Sequence, residues 1–532
     1  MDSEDELELE ALELQEKFGL AANPAARARS SGFLLSLTIG IGGQSSSHLR
    51  PHLLQRLSTI LHKLAPLSTS PALRLTAGDQ AYLSTLGLSK PALSLVWMAG
   101  PICGVVLQPY FGMCSDRCRS SWGRRRPFIF FGALAAISSL LCLASAERLA
   151  YDVARVLGLS GRDSDVKTMA ATSAVLSVAA LNIAIQPLQG GMRALIVDTV
   201  PPHQQQTANA WAGAVTSTTN VMCYLLSSVD VTRWLGGLGD SRFTVLCVAT
   251  SLLLAVTVGV TCTAAQESSC KVPVEHEEET ERTSNIAETI RRLCCSFPRL
   301  PRQVRSVLKV QFFSWMGWFP FLYYITTYIG DLWLQVDTAA ADLHSRDSTG
   351  TSPSEKATQV GSAGLIVFSL VSLMAGTAVP SLMAYARQAS RGSGYYEAWY
   401  RSPRRVWITT QLLFASCMFA TLLVSSLWHI YLLVGLSGIS WGITIWAPHA
   451  IISSEISEPG RYGDAEDCER RPGIVVGLHN AAIAGPQIVA AVGCSLLFRI
   501  LEGTSGDSVG WTLRVGGLSM LVASWLSLGI RE

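Results

Sequence analysis

Apolar runs close to the ~20 residues that a helix needs to cross a bilayer recur along most of this 532-residue chain. They fall at Leu93–Met113, Pro127–Ala146, Ala170–Val197, Ala208–Val229, Phe243–Ala264, Val307–Ile329, Val360–Ala384, Val406–Ser426, His429–Ile452, Ile474–Phe498 and Trp511–Ile530. A twelfth run, Phe33–Gly43, reaches only about half the spanning length. Inside lipid each backbone polar group has to be bonded within the protein, so such runs read as helices. The composition agrees. Charged residues make up 15% and hydrophobic residues 49%, with a mean hydropathy of +0.32, too little polar surface for a soluble chain of this length. The expectation is an all-α, multi-pass membrane protein. A net charge of +2 implies no polyanionic partner, so nucleic acid is excluded. The 13 cysteines lie mostly in apolar stretches without a CxxC pair and read as small buried hydrophobes, not as metal ligands or disulfides.

The longest hydrophilic connection within the spanning region, Gln266–Ser306, opens acidic and closes basic. It divides the chain into two helix bundles, residues 31–265 and 307–532, joined by a loop at 266–306 and preceded by an acidic tail at 1–30. If the short first run also crosses, there are nominally twelve membrane helices in two six-helix bundles. The loops on the side of the termini then hold roughly twice as many Lys and Arg as the opposite loops, which places both termini in the cytoplasm. The opening stretch Met1–Lys17 is acidic, unlike the basic start of a secretory signal.

Two patterns carry chemistry. Gly112, Asp116 and Arg117, then Arg124, Arg125 and Arg126, connect the first two clear runs: the aspartate can meet a neighbouring helix N-terminus, and the arginines hold the loop in the cytoplasm. On the same helix Gly100, Gly104, Gln108 and Gly112 stand four apart, a face suited to close helix contact. In the run from Ala170, Asn182, Gln186, Gln189 and Arg193 share one face, with Asp198 five residues on. Polar groups at that depth face a cavity or another helix, and Arg193 needs an oxygen partner because it does not lose its charge. Pro187 is expected to interrupt this helix. Further amides and tryptophans follow at Asn209, Asn220, Gln311, Trp315, Trp318, Trp441, Asn480 and Gln487. Uncharged amides with aromatic faces favour a small, neutral, hydroxyl-rich ligand. His449 and His479 read as packing histidines, and with no nucleophile–base grouping in any span, an enzyme is not expected.

The segments "GPICGVVLQPYFGMCSDRCRSSWGRRRPF", "MRALIVDTVPPHQQQTANAWAG", "VQFFSWMGWFPFLYYITTYIGDLW", "SWGITIWAPHAIISSEIS" and "GIVVGLHNAAIAGPQ" resemble the sucrose and α-glucoside transporters of the glycoside–pentoside–hexuronide:cation symporters, a branch of the major facilitator superfamily, with wording nearest to fungal members. The resemblance runs from about Ala81 to the C-terminus. It implies import of sucrose or a related α-glucoside by alternating access, with protons as the coupling ion, no other cofactor, and a plasma-membrane location, the vacuolar membrane being the alternative. Arg193 matches the family's functional intramembrane arginine and Asp198 the acid that follows it. Plant members carry an aspartate where this chain has Asn182 and acids where it has Ile325 and Thr327, so coupling falls to another group such as Asp198 or Glu455, or is absent. Those two acids end corresponding helices of the two halves and form a candidate gating pair. Residues 45–80 interrupt the resemblance and read as translated intron or a gene-prediction error in place of half the first helix. A non-transporting sugar sensor, or a transport-defective paralogue, is the competing expectation.

Overall fold

The computed structural model describes residues 86, 90–156, 163–228, 236–239, 241–265, 267, 297–341, 353–389, 402–457, 472–501 and 507–531. The acidic tail, the run Phe33–Gly43, the insert 45–80 and most of the 266–306 loop lie outside the described residues.

Every long element among the described residues is a helix. In chain order these are α1 (Lys90–Arg117), α2 (Arg126–Ala144), α3 (Ala146–Val156), α4 (Asp163–Thr199), α5 (Gln205–Ser228) and α6 (Arg242–Ala264), then α7 (Arg302–Ala341), α8 (Pro353–Ala389), α9 (Pro403–Ala420), α10 (Leu427–Thr444), α11 (Ala447–Ser457), α12 (Pro472–Leu501) and α13 (Ser508–Ser527). Eight helical stretches of the described residues are long and apolar enough to cross a membrane; α10 and α11 count as one of them. The predicted runs in α1, α5 and α7 are helical but fall outside those eight. Glycines, amides and hydroxyls interrupt their apolar character, as expected of helices that face the interior of a bundle.

Ser241 caps α6 by accepting the Thr244 N–H, Ser402 caps α9 with Pro403 as the first helical residue, and Asp507 caps α13 through Gly510 N–H. α3 was not expected. It forms because Ala146, Ala150 and Ala154 repeat every four residues and bury a smooth stripe against α4, while Glu147, Arg148, Asp152 and Arg155 stay on its other faces.

Two apolar cores belong to helices before the long loop: one where α2, α4 and α6 meet, the other where α1, α3 and α4 meet. A third draws almost wholly on helices after it and centres on Trp318, Phe321, Phe368 and Phe414. The two sets of helices join where α12 runs along α1 and α4, and where α5 packs on α8 and α11. Gly112 and Gly473 make the first joint possible. A Cβ on Gly112 would run into the Gly473 carbonyl oxygen, so backbone touches backbone there.

Two expectations about helix continuity are corrected. α4 runs unbroken through Pro187, because α2 packs Gly132 directly onto that turn, with Ala184 O, Leu188 N and the proline ring all within 3.2 Å of where a Gly132 Cβ would stand. The break falls instead inside the predicted run His429–Ile452. The ladder stops at Ile445–Trp446, two residues before Pro448, and restarts as α11.

Candidate functional site

The first polar region lies at the arginine-rich end of α1 and α2. Gly123 turns the connection at φ +120°, a conformation that L side chains rarely adopt, and a Cβ there would meet the Glu267 carboxylate at 2.9 Å. Glu267 accepts the backbone N–H groups of Arg124 (2.5 Å) and Arg125 (2.9 Å) on Oε2 and of Arg126 (3.0 Å) on Oε1. These donors sit at the start of α2, where helices leave N–H groups unpaired and favour negative charge. So held, Arg125 points its side chain inward and is 0% exposed. Its Nε donates to Asp198 at 2.8 Å, and its two terminal nitrogens donate to Asp116 and to the Ser115 hydroxyl. Arg124 reaches the same Asp198 oxygen at 2.9 Å. Burial works against the Arg125 charge, but Asp116 and Asp198 outweigh it and hold its proton more tightly than usual. Asp116 also accepts the N–H groups of Gly473 (3.0 Å) and Ile474 (2.9 Å) in the first turn of α12. One lattice therefore ties α1, α2 and α4 to a helix from the other side of the long loop.

The second region lies one to four turns back along α4 from Asp198. Arg193 on α4 is deep within the molecule yet keeps accessible surface, and among the described residues it makes no hydrogen bond or ion pair. Two turns back on α4, Gln186 donates to Asn182 O at 2.9 Å, leaving its own Oε1 buried without a partner. Asn182 donates to Val178 O and comes against Gly100, while Asn480 on α12 donates to Gly104 O at 3.2 Å. The glycine face of α1 thus receives amides from both α4 and α12. Arg193 lies close enough to His449 and His479 for its charge to act on both. His479 lies 3.0 Å from the Gln311 amide nitrogen, and Gln311 Oε1 is a second buried acceptor without a partner. One turn along α7, Trp315 packs edge-on against Trp441 with ring centroids 5.7 Å apart, and neither indole N–H has an acceptor. Buried polar groups are normally bonded, so the unfilled Gln186 and Gln311 acceptors and the unpaired Arg193 are candidates for a partner from outside the chain.

The structure sets Asn182, Gln186 and Asn480 against the glycine face of α1, Gln311 against His479, and Trp315 against Trp441, with Arg193 two turns along α4 from Gln186. Gln189 retains accessible surface on the same helix face. Asn209 donates back to Gln205 O, Asn220 is buried further along α5, and Gln487 donates back to Ile483 O. Trp318 is corrected from lining to core: it is 0% exposed, enclosed by Phe321, Phe368, Phe414 and Trp441. Of the two candidate gating acids, Asp198 is held by Arg124 and Arg125, and Glu455 is buried in the last turn of α11 with interactions of its own. Of the remaining arginines, Arg126 faces Glu267 at 4.0 Å, and Arg117 ends α1 with interactions of its own. Sequence reasoning missed Glu267, Ser115 and the histidine pair. Only the acidity of the loop opening pointed towards the first.

The fold and the site define a polytopic helical membrane protein with a paired charge lattice at one end and, deeper along α4, a cation that has no bonded partner among the described residues. The chain belongs to the Major Facilitator Superfamily, whose family profile matches residues 70–491. A general alpha-glucoside permease of Schizosaccharomyces pombe is 30% identical over 84% of this chain and 88% of its own length. The sucrose transport protein SUC4 of Arabidopsis thaliana is 24% identical over 83% of this chain and 84% of its own. Among solved structures, the human organic anion transporter MFSD10 (TETRAN) superposes with a TM-score of 0.57 at 13% identity, covering 89% of this chain and 99% of that one. The proton:xylose symporter XylE, bound to 6-bromo-6-deoxy-D-glucose, superposes with a TM-score of 0.51 at 13% identity, covering 89% and 94%.

Proposed function

We propose that this protein is a permease for sucrose or a related α-glucoside, a transporter and not an enzyme, working by alternating access with protons as the coupling ion. The observation that carries this reading is Arg193, a guanidinium with no bonded partner among the described residues, on the same face of α4 as Gln186, whose buried acceptor is unfilled. Sugar hydroxyls both donate and accept, so they answer Arg193, Gln186, Gln311 and the Trp315 indole together. A related alpha-glucoside permease and a sucrose transport protein supply the substrate class. With the arginine-rich loops in the cytoplasm by the positive-inside rule, the Asp116–Arg125–Asp198 lattice joins the two sets of helices at the cytoplasmic end, as a carrier closed on that side requires. Breaking that lattice and re-forming contacts at the other end would move the centre to the inner side. We assign the carrier to the plasma membrane, both termini inside.

The test is uptake of radiolabelled sucrose and maltose in a transport-deficient yeast, at acid and neutral pH. Concentrative uptake that weakens at neutral pH supports a proton-coupled permease. Surface-expressed protein that binds sugar without uptake moves the reading to a sensor.

A further inference from the structure

Two titratable side chains of the second region have no task in the permease reading. His449 lies in the first turn of α11, just past the break at Trp446, and His479 lies two turns into α12. Their rings stand perpendicular, with centroids 4.4 Å apart, and His479 is 1% exposed. The Gln311 contact at His479 Nε2 suits either protonation state. The amide NH2 donates to the lone pair of a neutral ring, and after a half-turn of the amide its oxygen accepts from a protonated one. Because Gln311 Oε1 has no other partner, the half-turn breaks no further bond.

Arg193 is the one fixed charge that acts on this pair among the described residues. α4 presents Arg193, whose charge reaches both rings. On their own helices, Glu455 lies in the last turn of α11 and Arg499 in the last turn of α12. Of the other helices packed on α11 or α12, α1 carries Asp116, committed to Arg125 and the start of α12, and ends at Arg117, while α7 carries Arg302, Lys309 and Asp331, all exposed, and the half-buried Arg305. The α9 arginines lie at its start, where Arg404 donates to Ser527 O and Leu528 O, and Arg514 of α13 is paired with Asp507. Among the described residues no carboxylate acts on either ring. Asp198 is held by two arginines, and Asn182 is an amide.

We propose that His449 and His479 together carry the coupling proton. The step is a proton transfer alone: one neutral imidazole takes a proton from the outer solution as imidazolium and gives it up on the inner side, with no bond made to the sugar. A proton on the pair and the Arg193 guanidinium repel each other at this depth. A sugar that draws the guanidinium onto its own oxygens relieves that repulsion, so sugar and proton each favour the other's binding, as symport requires. This inference rests on the permease reading.

The experiment uses the full chain in proteoliposomes, with sucrose and maltose as probes. It compares sugar counterflow, sugar-driven alkalinisation of a weakly buffered medium, and accumulation under an imposed proton gradient. For His449→Gln and His479→Gln we expect counterflow to persist at a reduced rate, sugar-driven proton uptake to vanish, and the accumulation ratio to fall to about one, the value for a carrier without coupling free energy. Should a glutamine variant fail to reach the membrane, His449→Asn and His479→Asn repeat the comparison with the amide at the other ring-nitrogen position. Both histidine positions made amides, with accumulation and proton uptake unchanged, overturns the inference. So does loss of counterflow in step with proton uptake, which assigns the rings to folding or sugar binding. A wild-type protein that exchanges sugar but moves no protons overturns this inference alone, whereas one that exchanges no sugar overturns the permease reading with it.

Discussion

Arg125 and Arg193 are both deep arginines on neighbouring helices, and the protein treats them in opposite ways. Arg125 has two carboxylates and a serine hydroxyl around it, and Asp116 extends the set to two backbone N–H groups of α12. Arg193 has no bonded partner among the described residues, and Gln186, two turns back on the same helix, carries a buried amide oxygen that is also unfilled. Removing a guanidinium from water is costly unless fixed partners replace its hydration. At the arginine-rich end the chain supplies all of those partners, so the lattice is complete without a ligand and serves to hold helices together. At Arg193 no described residue supplies them, which is why the proposed site is placed there.

The comparison predicts unequal consequences for removing the two cations. Arg125→Ala leaves the buried Asp116 with backbone N–H groups alone and Asp198 with Arg124 alone, and breaking a buried pair in this way typically costs about 3–5 kcal/mol. Hydrogen–deuterium exchange should show the amides of Gly473 and Ile474 losing protection, because Asp116 no longer holds α12 in place. Protection that stays at the wild-type level breaks the claim that this lattice joins the two sets of helices.

Arg193→Gln should reverse that pattern. With no protein partner to strand, the thermal midpoint moves little. Sugar affinity should fall by about 10- to 100-fold, the worth of one or two charge-assisted hydrogen bonds at roughly 1.5–3 kcal/mol. Binding to detergent-purified protein measures affinity, and a melt of the same sample measures stability. A variant that loses stability and keeps its affinity would show that Arg193 is a second structural cation and erase the contrast.

Much of this contrast is legible in the order of the residues. The four-residue spacing of Asn182, Gln186 and the α1 glycines puts polar and small residues on defined faces, and clustering puts Asp116 near the arginines. Helical periodicity is local, so it reveals a face but not what the face meets. His449 and His479 are separated by 30 positions in otherwise apolar runs, and nothing local marks them as a pair. Trp318 sits at a spacing that suggests lining, yet Phe321, Phe368 and Phe414 arrive from its own and two other helices to enclose it. Pro187 and Pro448 look alike in sequence, but α2 clamps the first turn and the ladder opens beside the second. Glu267 lies more than 140 residues from the N–H groups it accepts, so its partners come only from the fold.

Gly112→Ala sharpens the comparison from the side of packing. The added methyl would overlap the Gly473 carbonyl, and backbone gives way less readily than a flexible side chain, so α1 and α12 must part. Overpacking of this kind costs about 1–3 kcal/mol. The matching change at Gly100 meets only the Asn182 side-chain oxygen at 3.0 Å, which can turn aside. Thiol labelling of Cys114, two residues along, should speed up in the first variant and not in the second. Equal rates would mean that the close backbone approach is not what shuts this end.

Glu267→Gln makes the smallest change and tests where the lattice begins. The glutamate uses both carboxylate oxygens on three N–H groups at the start of α2, and its charge opposes the positive end of that helix. Glutamine keeps one acceptor oxygen and turns an amide NH2 towards the remaining donor, so the expected loss is about 0.5–1 kcal/mol, a fall in melting midpoint of about 1–3 °C. If Glu267 also aims Arg125, the Gly473 and Ile474 amides should lose part of the protection that Arg125→Ala removes altogether. A lower midpoint with those amides fully protected would confine Glu267 to capping α2, leaving Asp116 and Asp198 alone to position the buried arginine.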